Sequence, residues 1–573
     1  MMESDRPGNL NGKPGNLGNL CGARDYSMWD AAYVLGSLSD ADRREYEAHL
    51  EGCISCRTAV AELTAVSPLL SVLDYDDVVA PNGADETAAA PPRPDLLTSL
   101  LAKADQRAAS IAERAQQPVL VPAPVVDAQT VLPVFRTANY APVHDELTAF
   151  DLPVRGRIPA ELNGWYLRNG PNARTGAAHW CVGDGMVHGV RLENGRAAWY
   201  RNRWVRTESF EHPIALYNDD GTRNLHSSIA NTHVVRHAGK TLALMEFSLP
   251  YEISNELETV GVYDFGGKLT DSMTAHPKIC PVTGELHFFG TGNIFEPHVV
   301  YHRANADGRL TVNRPIDVPA LTMMHDFALT AEHIVLLDLP LVFDLRVALA
   351  QQDVRELRDL PYRWDDHYGA RLGVLRRDDP FGPVRWLDID PCYVFHIANA
   401  YDVRSANRNA VVLEVVRYPE IWRDSSKFGA DAALWRWKLN LDSGVVEESQ
   451  LDDRAVEYPR VDDRLAGAAA RYSVVVGSNA LVRYDLQRDT ASEHRFGGGG
   501  NGAPGAPGEA VFAPAVGTSD ELAGWYLTYV YDPVADASDL VVIDASDFGG
   551  EPVARVRLPG RVPHGFHGNW IPD

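Results

Sequence analysis

The sequence predicts a mainly β protein made by radial repetition of small sheets, preceded by a small α-helical unit. Three observations carry that expectation. Beyond Pro118, short β-rich runs alternate with turn residues, as at Thr241–Glu246, Ala410–Val416, Tyr472–Val476 and Gly524–Tyr531. Many short strands and few helices over roughly 400 residues favour a propeller-like repeat. Two near-identical heptapeptides, Glu161-Leu-Asn-Gly-Trp-Tyr-Leu and Glu521-Leu-Ala-Gly-Trp-Tyr-Leu, stand at opposite ends of this region and predict equivalent positions in two blades. Upstream, the apolar period is that of a helix. Trp29, Ala32, Tyr33 and Leu35 form a stripe over Tyr26–Leu38. Ser39-Asp40-Ala41-Asp42 then reads as a capping-box-like start, with the acid at the positive helix end. That second helix runs through Tyr46 and Leu50 to Gly52, and a third covers 57–73.

A chain of 573 residues exceeds what one core organises. Residues 1–20 are Gly/Asn/Pro-rich and expected to be disordered, and 21–79 form the helical unit. The small, Pro-rich stretch 80–94 is a linker. Within 95–134, Leu97, Leu100, Leu101, Ala104, Ala108, Ile111 and Ala115 recur at three and four, predicting an amphipathic helix and a connector. The β domain occupies 135–573. The glycine-rich stretch 497–508 lacks the Lys-Ser/Thr of a phosphate cradle and precedes a strand-like Ala510–Phe512, so it reads as a surface loop.

Composition narrows the function classes. With 45% hydrophobic and 23% charged residues the chain is of ordinary globular type. A net charge of −25 repels nucleic acid and anionic lipid. Six cysteines make no disulfide framework, and Cys53 and Cys56 sit at metal-ligand spacing, which favours a reducing compartment. The N-terminus lacks the basic and apolar regions of a signal peptide, and no uncharged apolar run approaches the ~20 residues that span a bilayer. The expected location is cytoplasmic, with peripheral membrane contact through an apolar patch at Leu339, Leu341, Phe343, Leu345, Val347 and Leu349.

His49, Cys53 and Cys56 follow the pattern H-x3-C-x2-C at a predicted helix end, where three borderline or soft donors can point at one tetrahedral Zn2+. Tyr26–Leu38 and Ala48–Arg57 resemble the zinc-binding anti-sigma domains of actinobacterial type. That resemblance implies a helical unit that clamps a sigma factor, with Cys21 as the nearest candidate for a fourth ligand.

Four of the 19 histidines share a local context, with apolar or aromatic residues beside them and a polar turn after. They are His276 (Met-Thr-Ala-His-Pro), His325 (Met-Met-His-Asp-Phe), His396 (Val-Phe-His-Ile-Ala) and His567 (Gly-Phe-His-Gly). Their wide separation excludes a finger and fits strands of different blades converging on one axis. These contexts, with Trp165–Asn172, His179–Gly189 and Tyr200–Thr207, resemble the carotenoid cleavage oxygenase family from about Phe135 onward. The resemblance implies a seven-bladed propeller with a helical and loop cap and Fe2+ held on its axis by the four histidines. It also implies that Glu246, Glu457 and Glu509 stand behind them, where a carboxylate fixes the tautomer of a ligating imidazole. Cys181 stands where a bulky aromatic is common in the family.

Four neutral imidazoles leave two neighbouring positions of an octahedral Fe2+ open, so O2 can react without an external reductant. The expected reaction is cleavage of a C=C bond in a carotenoid or apocarotenoid to two carbonyl products. No acid–base residue is required beyond the iron centre. The alternatives are a stilbene-type phenolic olefin as substrate, or a sigma-factor-binding regulator with an inactive propeller. Near the C-terminus two histidines compete: the Pro-His-Gly context predicts a solvated turn at His564, and Gly568 permits close approach at His567.

Overall fold

The computed structural model describes residues 137–573 apart from 175–178, 180, 213, 219–221, 350–358, 406–407, 427–430 and 498–504. Before 137 it describes only Arg43, Arg44, Tyr46, Glu47, His49 and Leu50, all helical. The first and third N-terminal helices, the linker, the 95–117 helix, Cys21, Cys53, Cys56 and most of the glycine-rich loop lie outside the described residues. The chain divides into two compact units, Met1–Val131 and Leu132–Asp573.

The second unit is a seven-bladed β-propeller. Each blade is an antiparallel sheet, and in four of the seven the strands follow one another directly in chain order. The first blade runs Gly164–Pro171, Gly185–Glu193 and Arg196–Trp204, with Thr148–Phe150 on its outer edge. Its innermost strand comes from the far end of the chain: Gly568–Pro572 pairs with Gly164–Pro171, Arg168 opposite Gly568. The seventh blade ends on Ala554–Arg557 and takes Val154–Gly156 from the start of the unit. Segments from both ends of the unit therefore cross between the first and last blades and close the ring. The two heptapeptides fold into Gly164–Pro171 and Gly524–Asp532, each the second strand outward in its blade, as the repeat predicts.

Packing between blades buries large side chains such as Trp437, Phe288, Phe289, Phe327 and Tyr393. The first part of the predicted apolar surface patch is not a surface, while Leu345 and Val347 are half-buried. Leu341–Phe343 forms a ribbon with Tyr362–Trp364, Leu341 opposite Trp364. Leu339 and Leu341 join the buried core, and Phe343 packs against it. An apolar run has the same composition in a core strand as on a docking face, and here the ribbon lies folded onto the blades.

Candidate metal centre

Each of the four histidines starts, or lies near the start of, the innermost strand of a different blade. His276 precedes Lys278–Ile279, His325 precedes Phe327–Leu329, His396 is within Tyr393–Ser405, and His567 precedes Gly568–Pro572. Strand beginnings in a propeller converge on the axis, so residues far apart in sequence meet there. At His396 the register to the neighbouring strand shifts between Val394 and Asn399, a bulge that re-aims the side chain. The ring centroids lie 4.4 Å (His276–His325), 4.6 Å (His276–His567), 4.8 Å (His396–His567) and 5.1 Å (His276–His396) apart.

Three carboxylates back three of the rings. Glu457 Oε2 is 2.5 Å from His396 Nδ1, and Glu509 Oε1 is 2.9 Å from His567 Nδ1. Glu246 Oε1 lies 3.2 Å from His325 Nδ1, off the hydrogen-bond direction. A carboxylate at Nδ1 keeps the proton on that nitrogen, so Nε2 of the same ring offers a lone pair. His396 Nε2 and His567 Nε2 face each other at 3.1 Å. Two lone pairs at that distance repel unless a cation lies between or beside them. His276 Nε2 is buried without a hydrogen-bond partner, as are His325 Nδ1 and Glu246 Oε1. The donor set therefore fits a metal that takes neutral imidazole nitrogens.

The electrostatics agree. Burial first, and the neighbouring imidazoles second, push His276 and His325 well below the ordinary histidine range. Burial and His396 do the same to His567. Burial also opposes charge on His396, but Glu457 outweighs it and leaves that pKa raised. Glu246 is pushed up to about 7 by burial. Two of the three glutamates precede an aromatic residue with left-handed backbone, Phe247 at φ 69° and Tyr458 at φ 53°. Bulky residues avoid that region, and such strain clusters at functional sites.

Several participants had no signal of their own in the sequence. Asp326, next to His325, accepts from Phe327 N (2.8 Å), Ile397 N (2.9 Å) and Lys278 Nζ (2.7 Å). One carboxylate thus ties together the strands that carry three of the histidines. Arg460 contacts Glu509 and donates to the carbonyl of Gly568, beside His567. A fifth histidine, His233, lies 5.2 Å from the His567 ring, yet its Nδ1 donates to Ala275 O and its Nε2 meets the Asn569 amide. Its hydrogen bonds turn it away from the cluster.

His564 stays outside the cluster, but not in a solvated turn. Tyr140 covers its ring at 4.4 Å, and burial lowers its pKa to about 4. The turn composition of Pro-His-Gly is real, but the N-terminal Tyr140 folds over it. Of the N-terminal candidates only His49 is described, stacked on Tyr46 in its helix.

Two cavities meet the histidines. One, of about 650 Å³, reaches His325, His396 and His567 and is walled by apolar and aromatic residues such as Phe395, Trp422, Tyr362 and Met323, with Cys181 beside them. The other, of about 550 Å³, reaches His276, His396 and His567 and is lined by Lys278, Asp326 and Arg460.

The profile of the retinal pigment epithelial membrane protein family matches residues 140–572, and a zinc-finger profile matches residues 31–57. The chain is 39% identical over 484 residues to a carotenoid cleavage oxygenase of Mycobacterium tuberculosis, covering 75% of this chain and 96% of that one. It is 32% identical over 502 residues to a carotenoid 9,10(9',10')-cleavage dioxygenase of Arabidopsis thaliana, covering 77% and 90%. Among solved structures, the lignostilbene dioxygenase of Pseudomonas brassicacearum superposes with a TM-score of 0.69 at 26% identity, over 79% of this chain and 100% of that one. A Synechocystis apocarotenoid oxygenase shares the fold with a TM-score of 0.67 at 22% identity, over 76% and 98%. With its four histidines gathered at the propeller axis and these matches along most of its length, the chain belongs to the carotenoid cleavage oxygenase family of iron-dependent oxygenases.

Proposed function

We propose that this protein is a dioxygenase that splits one C=C bond of a carotenoid or apocarotenoid with O2, one oxygen atom entering each of two carbonyl products. The observation that carries this reading is the apolar cavity of about 650 Å³ that ends on three of the four histidines. In this proposal His276, His325, His396 and His567 hold Fe2+, which when bound supplies O2 activation without an external reductant. The protein's own contribution is positional. Glu457 and Glu509 hold the Nδ1 protons of His396 and His567, so that Nε2 of each points inward. Phe395, Trp422 and Tyr362 flank the extended substrate, align one double bond with the centre and keep water scarce.

Among the described residues lining that cavity there is no lysine, which favours a polyene over a phenolate held by an ammonium group. The complete set of histidines and glutamates favours an active enzyme over a regulator with an inert propeller. The N-terminal unit is the second part of the proposal: His49, Cys53, Cys56 and Cys21 hold Zn2+, and the unit engages a sigma factor. The zinc-finger match over 31–57 supports it and includes all of these residues except Cys21. The cysteine usage supports a cytoplasmic location.

The test is anaerobic Fe2+ loading of the full chain, elemental analysis, and incubation with polyenes under 18O2. One iron and one zinc per chain are expected, with one labelled oxygen in each of two carbonyl products. Iron uptake that depends on none of the four histidines, or intact polyene after loading, would sink the reading.

A further inference from the structure

The apolar cavity stops being apolar at Arg223. This side chain is 6% exposed and forms part of the wall of the cavity that leads to the histidines. It also lines another cavity of about 510 Å³, whose wall includes Asn218, Thr222, Asn293 and Glu296 together with Leu225 and Phe295. It therefore stands where a tunnel for hydrocarbon meets a cavity of mixed polar and apolar lining.

Its hydrogen bonds all go to uncharged acceptors. Nε donates to Phe247 O (2.8 Å), Nη1 to Leu216 O (2.7 Å) and Nη2 to Ser227 O (3.3 Å). All three acceptors are backbone carbonyls, and among the described residues no carboxylate pairs with it. The Tyr217 ring lies 5.6 Å from Cζ. Three N–H groups are engaged out of the five that arginine carries, so the fork keeps donors to spare. Burying a cation away from water is expensive unless an anion or strong acceptor joins it. A purely hydrocarbon ligand would leave that cost standing, whereas an oxygen-bearing ligand end would relieve it through charge-assisted hydrogen bonds.

We propose that Arg223 receives an oxidised end group of the polyene, a carboxylate best and a carbonyl next, and so selects apocarotenoids over hydrocarbon carotenoids. This rests on the polyene-cleaving reading above and names its substrate class. Cleavage of a C=C bond leaves an aldehyde or ketone end, so an earlier reaction of the same class supplies the carbonyl form, and a separate oxidation of that aldehyde supplies the carboxylate.

The test compares three ligands of matched polyene length: a hydrocarbon carotene, an apocarotenal and the corresponding apocarotenoic acid. Binding to the full-length, metal-free protein is followed by quenching of tryptophan fluorescence in detergent, so it does not depend on turnover. The wild type should bind the acid about tenfold more tightly than the hydrocarbon. Arg223→Met should lose about tenfold on the acid and less on the aldehyde, while the hydrocarbon changes by less than about twofold. Arg223→Lys should recover part of the acid preference. Equal losses on all three ligands in Arg223→Met would assign Arg223 to holding its loop and overturn the proposal, as would a wild type indifferent to the end group. If Arg223→Met fails to fold, the wild-type preference and its partial retention in Arg223→Lys still decide. End-group discrimination without cleavage by the iron-loaded protein would remove the enzymatic reading and keep the site. Cleavage of all three ligands without discrimination would do the reverse.

Discussion

Two groups of buried histidines sit in one propeller and have opposite surroundings. At the axis, His396 and His567 have carboxylates on Nδ1 and bare Nε2 atoms facing each other. In the blade formed around Leu286–Thr291 and Val299–Ala304, His287 and His302 are fully buried with no such arrangement. His287 meets Tyr301 Oη at 2.7 Å and Arg377, while His302 lies against Phe288 with neither ring nitrogen hydrogen-bonded. Burial lowers the pKa of His287 to about 3 and of His302 to about 4, as it lowers those of most axial histidines. A depressed pKa therefore does not distinguish a metal site from a packed core. What distinguishes the axis is that several rings converge there, two of them with Nδ1 held by a carboxylate and with Nε2 atoms facing each other at 3.1 Å.

That contrast can be broken at its strongest point first. His567→Ala or His276→Ala should abolish iron retention through gel filtration and lower activity more than about a hundredfold. His287→Ala should keep iron at the wild-type level. Retention of iron by His567→Ala would place the site elsewhere.

The carboxylates come next. Glu509→Gln should weaken iron affinity by about ten- to a hundredfold in competition with a chelator, because the imidazole loses its fixed tautomer. Glu285→Gln, which alters the carboxylate 3.8 Å from His287, should leave affinity unchanged. Similar losses in both variants would mean that any buried His–Glu pair affects the centre, and the distinction would fail.

The third prediction concerns acid. His302 has a folded pKa of about 4, below the ordinary 6.5, so the unfolded state binds its proton first as pH falls. Stability should be highest above pH 6.5 and decline between about 6.5 and 4, by about 3 kcal/mol for this residue when fully lost. His302→Phe should flatten that part of a urea-denaturation profile without changing iron content. An unchanged pH profile would show that His302 already finds a partner in solution.

The smallest effect is expected at His564, which borders the apolar cavity but lies outside the cluster. His564→Ala should keep its iron and shift KM by less than about tenfold.

How much of this was legible depended on whether a residue's role is local. The axial histidines stood out because each sits in a short, distinctive context near a strand beginning, whereas Glu246, Glu457 and Glu509 were legible only through the family resemblance. The repeat was readable from turn spacing and from one heptapeptide echo. Asp326 was not, because an Asp after a His looks like any turn residue. Its role exists only once Lys278, Phe327 and Ile397 converge on it. Leu339–Phe343 was misjudged for a related reason: hydrophobicity reports that a segment avoids water, not what covers it. His564 was misjudged because its cover, Tyr140, comes from the other end of the unit.

The C-terminal strand carries a consequence beyond fold closure. His567 immediately precedes Gly568–Pro572, the strand that zips the last segment of the chain onto Gly164–Pro171. If His567 is a ligand, as proposed, metal occupancy and ring closure become a single equilibrium, since an ion also held by His276, His325 and His396 would pin the end of the zipper. Metal that binds only the closed ring stabilises it by mass action in proportion to the logarithm of its concentration. The seam should then be the first part to open in the metal-free protein and among the last in the loaded one, and hydrogen exchange at Gly568 and Asn569 would report occupancy as directly as a metal assay.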